Sequence, residues 1–508
     1  MRRIPVLQQA EAIELVNGPD AFTPDGYYAL GPVPGLRGFY VAAGGSDNGI
    51  AGGGGVGKLT AEWILQGETS IDTHEMNIRR FGPHLTDKAL LVEQCREVIR
   101  YYYHMRYPLD ENEWGRPLRT SPFYERLKPL GAVFGLKNGW ERVNYYDPGH
   151  PWRRAGADQK RWGWQRPPYF QQVGREVKAA RERAALFDMT SFGKIRLQGS
   201  GALQLLQQLA ANDLDRPAGS ITYTQFLNAR GGIESDVTVT RLAEHDFRII
   251  SGTSFVSNDM GWIQLHMPVD GSVEIADETQ NLGCLGLWGP KSRRVLQAVS
   301  ADDLSNTAFP YMTARSIDIR GASVWAQRVS YVGELGWELY VQLQDALKIW
   351  DALMEAGRES GIQPAGYKAL DALRIEKGYL YWSADISPVD NPLEAGLGMF
   401  VKMNKQEDFF GREALSRIKA QGLKTRLMAL AMDAGGNLYG GESVRAGGEM
   451  VGRIRSAGYG YTIGKDIGLV YLPLELAAAG TEVDVEVLGE QIKARVAERP
   501  LVEPKVKG

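Results

Sequence analysis

Apolar positions along this 508-residue chain change their period several times, and each change marks an expected element. Near the front a short apolar run, Phe39 to Ala43, and a run of helical character, Leu59 to Leu65, flank the glycine-rich stretch "AAGGSDNGIAGGGGVGK". "DKALLVEQCREVIRYYYHMRY" has the spacing of a helix, and the residues after it, to about 165, are dense in Pro, Gly, Trp and Arg. They read as an extended arm packed on neighbouring domains, because long structureless loops are uncommon inside a compact domain. From 169 onward, helices such as "GREVKAARERAALF" and "ALKIWDALMEAGRES" are interleaved with alternating strands. The last hundred residues are short strand patterns joined by Gly turns, the pattern of a small barrel.

Three stretches carry polar residues where the pattern makes them conspicuous. "YTQFLNARGGIESDVTVTRL" predicts a hairpin turning at Asn228–Gly232, with Val237 and Val239 on one face and Asp236, Thr238 and Thr240 on the other. On pattern alone Asp236 is a carboxylate capping the turn, or part of a wet sheet face. "RVSYVGELGWELYVQL" predicts a second hairpin turning at Gly333–Gly336; Trp337, Leu339 and Val341 share a face, and Glu338 and Tyr340 share the opposite, solvated one. In the helix "YKALDALRIEKGY", Leu370, Leu373 and Lys377 form a stripe with Arg374 beside it, the position of an arginine snorkelling from an apolar edge.

Composition narrows the field. A chain this long fits two to four domains. Net charge is −3 with no basic block, which gives no electrostatic footprint for nucleic acid or an anionic membrane. No segment approaches the roughly 18 uncharged apolar residues of a membrane span, and the N-terminus lacks a signal-peptide core. Two distant cysteines, Cys95 and Cys284, exclude a disulfide scaffold and suit a reducing compartment, here the cytoplasm. Six histidines sit singly, without metal-ligand spacing, so no metal site is expected.

Gly52, Gly54 and Gly57 spell G-x-G-x-x-G, the spacing of a dinucleotide-binding turn. That motif must open a βαβ unit with an acidic residue ending its second strand, yet "QGETSIDTHEMNIRRF" follows and is too short and polar for such a strand. The segment reads instead as a glycine-rich turn from strand to helix, whose bared helix N-terminus favours negative charge.

Six motifs in order, "LFDMTSFGKIRLQGSGA", "GGIESDVTVTRL", "SYVGELGWELYV", "ALDALRIEKGY", "NPLEAGLGMFVK" and "GYGYTIGKDIGLVYLP", resemble the T-protein (aminomethyltransferase) of the glycine cleavage system. They are similar above all to the folate-binding half of dimethylglycine and sarcosine dehydrogenases. The resemblance implies a multi-domain α+β aminomethyltransferase fold: residues 1–82 a remnant of an FAD-dependent oxidoreductase domain, 83–165 a connector arm, 166–405 the tetrahydrofolate-binding domain, and 406–508 a C-terminal β-barrel. It implies tetrahydrofolate as cofactor and an N-methylated amine or its one-carbon product as substrate. Asp236 then matches the catalytic carboxylate, and Phe192, Thr238, Gly252, Tyr331, Glu338 and Arg374 match folate-lining positions. Gly44, Gly45, Gly49 and Ile50 match a flavin-facing helix cap. Since the pyrophosphate-binding unit of the flavin domain does not precede Phe39, the resemblance implies a truncated product, a separate subunit that supplies the missing part of the FAD site, or a front segment that is only structural. Three functions remain open at this point: one-carbon transfer to folate, an FAD-dependent N-methyl amine dehydrogenase completed by a partner, and a non-catalytic folate-binding protein.

Overall fold

Strand Ala29–Pro32 pairs antiparallel with Tyr40–Ala43, setting Ala29 opposite Ala43, at the front of a computed structural model that describes residues 5–11, 13–14, 17–104, 107, 110–149, 153–154, 164–433 and 435–507. The chain then turns through Gly44, Ser46 and Asp47, all with positive φ, into helix Gly49–Gln66. A strand–turn–helix is therefore present, but Gly52, Gly54 and Gly57 lie inside the helix and not in the turn. At Gly52 the reason is contact: a Cβ there would lie 1.9 Å from the Tyr28 hydroxyl. The two strands before this turn pair antiparallel and only with each other among the described residues, which rules out a dinucleotide-binding βαβ unit at this glycine motif.

The segment expected as an extended arm contains more structure than that. Helix Lys88–Tyr102, N-capped by Asp87 through Ala89 N and Leu90 N, is followed by a hairpin of Ala132–Lys137 and Trp140–Tyr146. Val133, Phe134, Val143, Tyr145 and Tyr146 of this hairpin are buried in two hydrophobic cores shared with later strands. Most of 150–163, also assigned to the arm, lies outside the described residues.

Two mixed layers hold the middle of the chain. One is an antiparallel five-stranded sheet in the order Glu274–Asp277, Gly193–Gln198, Asp246–Ser251, Ile233–Ala243, Ile221–Leu227. The other has six strands, in the order Ala314–Ile319, Ala322–Gln327, Gly336–Gln342, Leu282–Trp288, Ala185–Asp188, Gln363–Ala365. Helix Phe170–Glu182 stops before the end of "GREVKAARERAALF", because Ala185–Asp188 is recruited into this second sheet opposite Leu285–Trp288; pairing in a buried sheet overrides helix propensity. The first strand of the second predicted hairpin is also displaced. Gly336–Gln342 pairs with Ala322–Gln327, while 328–335 leaves the sheet as a loop that buries Val332 and Leu335. The last hundred residues close a six-stranded barrel of Thr425–Met432, Lys465–Pro473, Glu449–Gly460, Ser443–Ala446, Glu482–Val487 and Glu490–Ala497.

Helix Tyr367–Glu376 joins these parts, packing on helix Phe170–Glu182, strand Trp140–Tyr146 and barrel strand Glu449–Gly460. Arg181 fastens it from the side, pairing with Glu334 at 2.7 Å and Glu376 at 2.8 Å. The segment 501–505 is laid across the same place: Leu501 N donates to Glu376 O, Lys505 N to Gly333 O, and Lys377 Nζ to Glu503 O.

Glycines divide into those the packing demands and those it does not. A Cβ on Gly232 would lie 1.8 Å from the Pro388 carbonyl oxygen, whereas one on Gly53, in the exposed helix, meets nothing within 4 Å. In denaturant unfolding, Gly232→Ala is expected to cost about 1–3 kcal/mol, the usual range for overpacking, and Gly53→Ala to add up to about 1 kcal/mol. Equal stabilities for the two variants would contradict this packing.

Candidate functional site

The hairpin of Ile221–Leu227 and Ile233–Ala243 sets Gln225 opposite Asp236 and Tyr223 opposite Thr238. Ser235, Val237 and Val239 point into the core behind, and Asp236, Thr238 and Thr240 share the other face. The turn does not use Asp236. Asn228 Oδ1 accepts from Arg230 N (3.1 Å) and Gly232 N (2.8 Å), so the asparagine caps the turn and the aspartate is left for another role. Asp236 accepts from Gln225 Nε2 at 2.8 Å. Burial raises its carboxyl to about 6, against the opposing hydrogen bonds from Gln225 and Tyr223.

The face carrying Asp236 looks toward the six-stranded sheet, since Thr240 Oγ1 donates to Gln327 Oε1 at 3.1 Å. Gln327 in turn sits opposite Glu338. The alternation expected on Gly336–Gln342 holds, with Trp337, Leu339 and Val341 in one core and Tyr340 in the other, but neither face meets solvent. Glu338 is 9 % exposed, accepts from the Tyr340 hydroxyl at 2.7 Å, and is pushed up to about 7 by burial. The wet-face reading of Glu338 is therefore replaced by a desolvated carboxyl. Lys194, fully buried, favours its ionised form from a distance. The Lys194 ammonium itself donates to the carbonyl oxygens of Thr190 (2.7 Å), Phe192 (3.0 Å) and Thr279 (3.2 Å), and burial lowers it to about 8.

The other expected residues fall at different distances from this pair. Phe192 stacks on Tyr367 at 6.3 Å between centroids and packs, with Tyr331, on the core that holds Tyr340. Tyr331 lies in the 328–335 loop and donates to Leu380 O at 2.8 Å; burial raises its phenol, with Asp371, Asp385 and Asp236 adding smaller contributions. Gly252 opens the turn into helix Val256–His266, where a Cβ would press on the Phe255 ring at 2.9 Å. Arg374 does not snorkel. It is buried, with Nε on Asp371, Nη1 on Asp385 and Tyr379 O, and Nη2 on Ser456, so each guanidinium nitrogen is engaged and the residue acts by tying helix Tyr367–Glu376 to the barrel. Gly44, Gly45, Gly49 and Ile50 form a separate group where helix Gly49–Gln66 begins; Gly44 and Gly45 shape the turn, and Ile50 is fully exposed. Sequence reasoning missed Tyr223, Gln225 and Tyr340. Counting the hairpin register back from Asn228 would have found the first two; the alternation did place Tyr340 on the face of Glu338, but as a solvated neighbour and not as its hydrogen-bond donor.

Taken with this geometry, comparison with known proteins defines the class. Residues 123–405 match the GCVT N-terminal domain, 425–503 the glycine cleavage T-protein C-terminal barrel domain, and 66–121 the FAD dependent oxidoreductase central domain. An aminomethyltransferase from Symbiobacterium thermophilum is 36% identical over 342 residues, covering 66% of this chain and 91% of the relative. The crystal structure of the glycine cleavage system aminomethyltransferase T from Bartonella henselae superposes with a TM-score of 0.65 at 24% identity, over 76% of this chain and 99% of that one, which establishes the shared fold. The chain belongs to the glycine cleavage T-protein (aminomethyltransferase) family. Within that family it is 37% identical over 506 residues to the human mitochondrial dimethylglycine dehydrogenase, covering 99% of this chain and 57% of the relative. It thus spans a little over half the length of that relative.

The raised carboxyl of Glu338 has a consequence for stability. Unfolded, it titrates near 4.5; folded, near 7. Between these values the folded chain keeps a proton that the unfolded chain has released, so this group's contribution is undiminished below pH 4.5 and stability falls as pH rises toward 7. Glu338→Gln, which keeps the acceptor for Tyr340 but cannot ionise, is expected to show a shallower fall across that window and to exceed wild type above it by up to about 3 kcal/mol. Parallel pH profiles in urea unfolding would show that Glu338 titrates normally.

Proposed function

We propose that this chain transfers a one-carbon group, at the methylene or methyl level, from an N-methylated amine to tetrahydrofolate. The observation that carries this reading is the pair of desolvated carboxyls, Asp236 near 6 and Glu338 near 7, set on facing sheets that Thr240 and Gln327 connect. The residues fit a reduced pterin. Glu338 has one hydrogen-bond donor, Tyr340, and keeps acceptor capacity for the paired N–H groups of a pteridine edge; such donors favour its ionised form. Phe192 and Tyr331 offer aromatic surface on the core that holds its partner Tyr340.

Tetrahydrofolate supplies a secondary amine nucleophile at such a site. Asp236 supplies the base: with a carboxyl near 6 it is ionised at neutral pH yet close enough in pKa to accept a proton from that amine. Gln225 fixes the carboxylate's orientation, and Tyr223 lines its other side. Lys194 holds the 190–192 turn that presents Phe192. Arg374 acts at one remove, keeping the helix, the barrel and the Tyr331 loop in register. The likeness to an enzyme named dimethylglycine dehydrogenase supports a small N-methylated amino acid as donor. The proposed units are a front flavin-domain remnant to residue 82, a connector to 165, the folate domain to 405 and the barrel beyond. Two free cysteines support a reducing, cytoplasmic setting, and no helix among the described residues is long and apolar enough to cross a membrane.

A second reading, FAD chemistry completed by a further flavin-binding part, rests on the front of the chain. Helix Gly49–Gln66 buries only Leu59 and Trp63 and exposes Ile50, Ile64 and Leu65, an apolar face suited to covering by another protein surface. The flavin is expected to be held by that further part, so the 508-residue chain purified alone should be colourless. Stoichiometric flavin absorbance would overturn this.

For the main reading, Asp236→Asn keeps size and one acceptor but loses the base. Single-turnover formation of methylene-tetrahydrofolate from a formaldehyde-level donor is expected to slow by about 10²–10⁴-fold with no loss of melting temperature. Wild-type turnover in the variant would remove Asp236 from the chemistry, and retained folate binding without turnover in both proteins would favour a folate-binding protein.

A further inference from the structure

Away from the carboxyl pair, the front segment and the folate domain enclose a cavity of about 260 Å³. Its walls include Trp63 and Glu68 at the end of the glycine helix, Arg79, Glu234, and Trp262 and His266 of helix Val256–His266; none of the expected folate residues lines it. Three buried polar atoms on these walls lack a hydrogen-bond partner among the described residues: Arg79 Nη1, Trp262 Nε1 and Glu68 Oε2. Arg79 is 6 % exposed, and its other donors are spent, Nε on Asn77 Oδ1 (3.2 Å) and Nη2 on Glu234 Oε2 (2.9 Å). Its guanidinium carbon sits 5.0 Å from the Trp262 ring, which puts the two free donors on one wall.

The walls are charge-balanced. Arg79 pairs with Glu234 at 2.9 Å, Arg230 with Glu68 at 3.2 Å and His74, also on the wall, with Asp72 at 2.8 Å, while burial keeps His266 below its usual range and hence neutral. A net anion or cation would upset this balance; a zwitterion would not. Two unpartnered N–H groups call for a carboxylate, and one unpartnered carboxylate oxygen calls for an ammonium. Burial raises Glu68, opposed by Arg230 on its other oxygen and reinforced by the charge of Glu234, so its unpartnered oxygen still favours a cation.

We propose that this cavity binds a small zwitterionic amino carboxylate, its carboxylate on Arg79 Nη1 and Trp262 Nε1 and its ammonium on Glu68. The site is distinct from the folate site and stands whether or not the one-carbon reading holds.

Calorimetric titration of the full chain with sarcosine tests it, with acetate and dimethylammonium as the two halves of the ligand. Saturable sarcosine binding is expected, with each half at least about tenfold weaker. Trp262→Phe keeps the ring and removes the donor; Glu68→Gln removes the charge; each is expected to weaken sarcosine about tenfold at an unchanged melting temperature. Asp236→Asn is expected to leave sarcosine affinity unchanged, which separates this site from the one-carbon chemistry. Absence of saturable binding to wild type, wild-type affinity in either cavity variant, or loss of binding in Asp236→Asn would overturn the proposal.

Discussion

Everything at the carboxyl pair depends on one strand having no wet side. Gly336–Gln342 runs through the interior of the six-stranded sheet with Trp337, Leu339 and Val341 sunk in one core and Tyr340 in another. A glutamate between those residues must be desolvated whichever way it points. Leaving a carboxyl there without a full set of partners is costly, and the cost appears as a carboxyl near 7 instead of near 4.5. The opposing sheet repeats the arrangement on a smaller scale, with Asp236 held by one amide and covered by the neighbouring layer. Neither group owes its perturbation to a nearby like charge as the main cause; burial dominates both. Fold and chemistry are coupled here, because the packing that creates the cores also fixes the proton affinities.

Around that pair, the architecture works by fastening. Arg374 spends its donors on Asp371, Asp385, Tyr379 and Ser456, and Arg181 spends its own on Glu334 and Glu376. These buried ion pairs add little net stability over apolar packing, but removing one partner leaves an uncompensated charge. They therefore enforce one arrangement of helix, loop and barrel. The same logic joins the front segment to the five-stranded sheet through Arg79 and Glu234, a pair contributed by residues 155 positions apart.

Much of this was legible in the sequence, and the exceptions share a cause. Alternation gave the correct faces of the strands carrying Asp236 and Glu338, because side chains on a strand repeat every two residues whatever surrounds them. What lies beyond each face is not in the period, so Glu338 read as solvated when another sheet covers it. "RVSYV" imitates a strand, yet the chain there leaves the sheet to bury Val332 and bond Tyr331 to Leu380. Arg374 looked like an edge residue because Asp385 and Ser456 reach it from 11 and 82 residues downstream. Gly52 to Gly57 read as a turn since glycine disfavours helices, and only the approach of Tyr28 accounts for a glycine at 52. The turn at Asn228 was placed correctly, and of the two pattern-only readings of Asp236, turn cap or wet sheet face, the first is removed because Asn228 itself caps the turn.

The strap formed by residues 501–505 sets an order on biosynthesis. Within the loop bearing Tyr331, the Gly333 carbonyl accepts from Lys505 N, while the helix beside it is fastened by Leu501 and by the Lys377–Glu503 contact. A ribosome delivers Gly333 well before Lys505, at about 5–20 residues per second, so this loop waits roughly ten seconds or more for its last partner. The five-stranded sheet, whose strands all lie between 193 and 277, has no such delay. On a nascent chain, the aspartate side of the site is thus completed first, and the side bearing Tyr331 is closed only when the strap has left the exit tunnel.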